Sequence, residues 1–76
     1  MTTTSNTISG TFKIVNGQAD VVTLVLEPWA EQRELAPGST AEVDMSGPSP
    51  MHIEVVVNPG EITIYGWEGS LMFVKP

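Results

Sequence analysis

Apolar and polar positions alternate along most of this chain with a period of two, the signature of strands that bury one face. Ile8, Gly10, Phe12 and Ile14 alternate with Ser9, Thr11 and Lys13, and Ala41, Val43 and Met45 alternate with Thr40, Glu42 and Asp44. Met51, Ile53, Val55 and Val57 then alternate with His52, Glu54 and Val56. Ile62 and Ile64 resume the apolar parity with Thr63, Tyr65 and Trp67 on the other, and Leu71 to Val74 forms a last short strand. One stretch departs from the rule. Val21-Val22-Thr23-Leu24-Val25-Leu26 is apolar on both parities, which predicts a central strand that ends at Pro28, where a ladder donor is missing.

Turn chemistry divides these strands. Asn16-Gly17 is a strong hairpin signal, and a two-residue turn there sets Lys13 opposite Asp20 and Phe12 opposite Val21. Ser46 to Pro50 reads as a loop, Asn58-Pro59-Gly60-Glu61 as a turn with glycine where a positive φ is needed, and Glu68-Gly69-Ser70 as another turn. Trp29 to Leu35 contains helix formers, but Pro37-Gly38 closes it too soon for a stable helix, so a short edge strand carrying Arg33 and Leu35 is predicted. The pattern implies an all-β fold, a small antiparallel β-sandwich or barrel of about seven short strands. Residues 1–7, rich in Thr, Ser and Asn, predict a flexible N-terminal arm, and residues 8–76 a single β-domain.

The elements Leu26-Glu27-Pro28-Trp29, Leu35-Ala36-Pro37-Gly38 and Ile62 to Ser70 resemble small uncharacterised bacterial all-β proteins with the same Glu-Pro-Trp, Leu-x-Pro-Gly and Tyr-Gly-Trp order. The resemblance spans most of the chain and supports strand over helix at residues 29–35. It implies no activity. Those relatives often carry Gly after the first Trp, where this chain has Ala30, so the resemblance implies a different backbone there.

Charge narrows the function classes. Nine acidic residues against Lys13, Arg33 and Lys75 give a net charge of −6, which repels nucleic-acid backbones and anionic membrane surfaces. No segment approaches the ~18 apolar residues of a spanning helix, and residues 1–7 lack a signal-peptide pattern. A cytoplasmic protein with no cofactor is expected. Cysteine is absent, so packing or self-association must supplement a small core.

Three sets of residues invite a chemical reading. If residues 40–45 and 51–57 paired with Val43 opposite Ile53, then Asp44 would face His52 and Glu42 would face Glu54, gathering four potential metal ligands. A solvated acidic face explains the same residues. A turn at Pro59-Gly60 that pairs Val57 with Ile62 sets Glu54 beside Tyr65 and His52 beside Trp67, a platform for a sugar ring or a cationic ligand. The alternative is that Trp29 and Trp67 cap the two ends of the core or sit in a subunit contact. Third, Val21 and Val25 lie on the opposite parity to Val22, Leu24 and Leu26, so Val21, Val25 and Trp29 are candidates for an interface. There is no nucleophile-base-orienter set and no phosphate-cradling glycine loop, so a catalyst is not expected. The chain reads as a non-catalytic structural or protein-interaction module that self-associates into a homo-oligomer or binds a protein partner. The alternative is a carbohydrate or small-ligand binding module.

Overall fold

The computed structural model describes residues 6–76. Seven strands form two sheets, with no helix among the described residues: β1 (Thr7–Val15), β2 (Val22–Glu27), β3 (Glu31–Leu35), β4 (Thr40–Pro48), β5 (Glu54–Asn58), β6 (Glu61–Tyr65) and β7 (Leu71–Val74). Sheet A has the order β1-β4-β7 and sheet B the order β3-β2-β6-β5. They stack as a sandwich around Val22, Leu24 and Leu26 of β2, Leu35 of β3, Ala41 and Val43 of β4, Ile62 and Ile64 of β6, and Met72 and Val74 of β7. These are the inward parities of the alternating segments.

β2 occupies an interior position, flanked antiparallel by β3 and parallel by β6. The parallel pair makes sheet B mixed, because strands that are distant in sequence meet there after crossing between sheets. β3 lies at the edge, as the closure of residues 29–35 by Pro37-Gly38 implies. The β5–β6 hairpin has the register read from Pro59-Gly60, with Val57 opposite Ile62 and Glu54 opposite Tyr65, and Gly60 adopts φ 79°.

Three expectations are corrected. Asn16-Gly17 does not turn a hairpin: β1 pairs with β4, so Lys13 faces Glu42 and Phe12 faces Val43, and residues 16–21 arch from sheet A to sheet B. The physical reason is Asn16 itself, whose buried side chain acts as a knot. Its Nδ2 donates to the carbonyls of Asp20 (2.8 Å) and Leu35 (2.9 Å), and its Oδ1 accepts from the Gln18 N–H (2.8 Å). Its backbone N–H donates to Ser39 and its carbonyl accepts from Gly38, which ties the end of β1 to the β3–β4 crossover. The second correction is that β4 and β5 form no hairpin. β4 continues to Pro48, and residues 49–53 carry the chain across to sheet B. The third concerns the arm over residues 1–7: residues 1–5 lie outside the described residues, but Thr7 opens β1 and the Asn6 carbonyl accepts from the Ser49 N–H at 2.8 Å.

Ala30 ends the three-residue β2–β3 connection with φ 60°, a left-handed conformation that suits glycine.

Candidate functional site

Two features of the sandwich merit a functional reading: one end, and one side. The end is built by the β2–β3 turn and the β6–β7 crossover, which bring Glu27, Pro28, Trp29, Tyr65, Trp67, Glu68 and Ser70 around an open cleft of about 580 Å³. Both tryptophans are half-buried here, so they cap the same end of the core rather than opposite ends. Each is wedged against a glycine: a Cβ at Gly66 would fall 2.5 Å from Trp29 Cη2, and one at Gly47 would fall 2.7 Å from Trp67 Cζ2. The Trp67 indole N–H donates to the Pro48 carbonyl at 2.7 Å, linking the crossover to the end of β4. Ser70 Oγ completes the turn, accepting from the Trp67 N–H and donating to the Trp67 carbonyl. Fixed aromatic rings beside carboxylates offer stacking and cation–π attraction. Glu27 and Glu68 form no salt bridge among the described residues.

The residues singled out from sequence distribute as follows. Tyr65 and Trp67 line the cleft, and Glu54 lies opposite Tyr65 on the outer face of sheet B. His52 is exposed in the crossover before β5. Glu27 and Glu68 were missed as cleft residues; the only sequence signal was their position beside Pro28-Trp29 and Trp67. Glu42, Asp44, His52 and Glu54 do not assemble, since Glu42 and Asp44 are on sheet A while Glu54 is on sheet B. Among the described residues no three potential ligands form a metal-binding group. Glu42 instead pairs with Lys75 at 3.5 Å, and Asp44 accepts from Thr11 Oγ1 at 2.6 Å.

The interface candidates also separate. Val21 is exposed before β2 and Trp29 belongs to the cleft, but Val25 is only 7% exposed. Val25 does point outward, between Gln32 of β3 and Thr63 of β6, and those neighbours cover it. The uncovered apolar surface is on β5 instead. Val55 and Val57 pair with the core residues Ile64 and Ile62, so they point to the inner side of sheet B, yet they are 50% and 62% exposed. Four strands face three, and the surplus falls on this side. At the opposite side the sheets are flush: β3 lies against β7, the Val74 N–H donates to the Glu31 carboxylate (3.3 Å), and Arg33 donates to the Lys75 carbonyl (3.4 Å). The open side is an apolar groove between β1 and the segment entering β5, lined by Phe12, Ile14, Met45, Met51, Ile53 and Val55. Its sequence signal was the continuous Val55-Val56-Val57 run, which the strict alternation around it disguised.

Among the described residues no helix is long and apolar enough to cross a membrane. No protein-family model, no curated protein and no solved structure matches the chain.

Proposed function

We propose that this protein is a non-catalytic interaction module that self-associates. The observation that carries this reading is the uncovered inner face of β5, where Val55 and Val57 point toward the sandwich interior without a covering strand. Inward-pointing valines left half in water forgo about 1 kcal/mol each of burial, a noticeable sum for a small domain. Two strand edges, β1 and β5, border the same groove, and unpaired edges are templates for association. Charge supports the open side over the sheet faces. The outer face of sheet B carries Glu27, Glu34, Glu54 and Glu61, which repel a second acidic chain, whereas the groove is lined by no charged side chain. Sedimentation equilibrium across the micromolar range is the test. A dimer or larger assembly is expected, and a chain that remains monomeric at high micromolar concentration refutes self-association.

The end cleft favours a second reading, a small-ligand module that takes a sugar ring or an organic cation on Trp29, Tyr65 and Trp67 beside Glu27 and Glu68. Titration of the tryptophan fluorescence with a glycan panel and with tetramethylammonium is expected to shift the emission. Unchanged emission throughout the series rules this reading out.

A further inference from the structure

We infer that two copies interlock, each placing its β5 in the vacant strand position beside β1 of the other; this rests on the self-association reading above. The geometry follows from the unequal sheets. Because β3 and β7 are flush and bridged by Glu31 and Arg33, the fourth strand of sheet B projects past sheet A at the other side. The vacant position lies next to β1 and faces the inner side of β5. It is one strand wide.

Strand direction decides what fits there. Asn16 brings the end of β1, the end of β3 and the β3–β4 crossover to one end of the sandwich, and β2 starts at that end opposite Leu35. β1 therefore runs toward that end and β2 away from it. β6 is parallel to β2 and β5 antiparallel to β6, so β5 runs in the same sense as β1. A twofold axis parallel to the strands preserves direction and exchanges the layers. It carries β5 of the second copy into the layer of sheet A, beside β1 and parallel to it, with its inner valines facing Val55 and Val57 of the first. The operation is reciprocal, as a closed isologous dimer requires. Each layer then holds three strands of one copy followed by four of the other, so neither layer overhangs and the free edges of β1 and β5 are both consumed.

A twofold normal to the sheets, pairing β1 with β1, would instead bring the two projecting β5 strands into collision. Charge also permits the interlock. β1 carries only Lys13 and β5 only Glu54, so the paired edges contain no like-charge pair between copies. The exposed Leu71 and Phe73 make a weaker interface. They lie on the outer face of sheet A beside Ser46 and Asp44, and the β7 edge is already engaged by Glu31.

The test compares substitutions at two exposed apolar sites of similar accessibility, so that the monomer fold survives each. Val55→Lys and Val57→Lys alter the inner face of β5; Leu71→Lys and Phe73→Lys alter the outer face of β7, where exposure is 61% and 50%. Circular dichroism checks the fold of each variant. The inference expects the β5 variants to weaken the dimer by about 30-fold or more, the loss typical of a central interface residue, and the β7 variants to leave it unchanged. Cross-linking separates the possible edge pairings, since the chain has no cysteine of its own. An equimolar mixture of Thr11→Cys and Val56→Cys chains with a short bismaleimide is expected to give mainly the mixed product. A dimer that persists in the β5 variants, or cross-links that are mainly Thr11→Cys with itself, overturns the interlock while leaving self-association intact. A wild-type monomer overturns both.

Discussion

Removing the Asn16 side chain is expected to be the most costly polar substitution in this fold. Asn16→Ala deletes three hydrogen bonds and leaves the Leu35 carbonyl, the Asp20 carbonyl and the Gln18 N–H without their partner. Each such bond contributes about 1 kcal/mol net, and an orphaned buried group costs about 1–3 kcal/mol. Only the bond to Leu35 is fully buried, so water re-solvates part of the loss, and the sum comes to about 3 kcal/mol. A domain of this length has a total stability of about 4–11 kcal/mol. The variant should therefore melt about 12–24 °C lower. Urea unfolding followed by tryptophan fluorescence measures the difference, with an unchanged m-value if the native state is otherwise intact. Asn16→Asp sharpens the test, because it keeps the acceptor for Gln18 but aims a carboxylate at two carbonyls. Facing acceptors raises the folded-state pKa of that new carboxyl. Its stability is then fully present below about pH 4 and is lost as pH rises through the raised value. A loss below about 1 kcal/mol for Asn16→Ala refutes the view that this side chain sets the crossover.

Other substitutions probe separate links. Ala30→Gly should stabilise the protein by about 0.5 kcal/mol: relief of a left-handed alanine, worth about 1–2 kcal/mol, outweighs the extra unfolded-state entropy of glycine. Its melting temperature should rise by about 2–4 °C, and a fall would contradict the assigned φ. Gly47→Ala should cost about 1–3 kcal/mol in chemical denaturation, since the new methyl meets Trp67 Cζ2 and the Ser70 Cα, which lies 2.8 Å away in backbone that cannot swing aside. Leu24→Ala should lose about 3–5 kcal/mol, while Val25→Ala, on the outer face, should lose less than half as much; equal losses would place the core on the wrong side of β2.

Strands were legible from this sequence, and their partners were not. Alternation of Ile62 and Ile64 with Thr63 and Tyr65 marks a strand and its buried face, because side-chain direction is a local property of an extended backbone. The β5–β6 register was legible for the same reason, since Pro59-Gly60 leaves one short way to turn. Asn16-Gly17 carries equally strong local turn chemistry, but there a buried amide tied to Leu35 and Asp20 prevails over the tight turn. That tertiary bond has no trace in the local pattern. The same holds for the candidate site: with β1 on one edge of β4 and β7 on the other, the hairpin that would have gathered Glu42, Asp44, His52 and Glu54 has no place. The excess of apolar surface was legible as a quantity, but β2 was the wrong address for it. A central strand is covered laterally by its neighbours, as Gln32 and Thr63 cover Val25, whereas an edge strand such as β5 is not.

The parallel seam between β2 and β6 has a consequence for how the chain reaches this state. It joins Leu24, in the first third of the chain, to Ile62, in the last third, and every antiparallel partner in sheet B is built outward from that seam. The β2–β3 hairpin that emerges first during synthesis has no lateral partner along the other edge of β2 until β6 exists. Closing so long a segment costs entropy before any contact compensates it, which favours slow, all-or-none folding over the gradual addition of strands. A nascent chain that stops short of residue 61 would thus leave one edge of β2 unpaired and Leu24 and Leu26 without Ile62 and Ile64 beside them, a sticky element that a chaperone would grip.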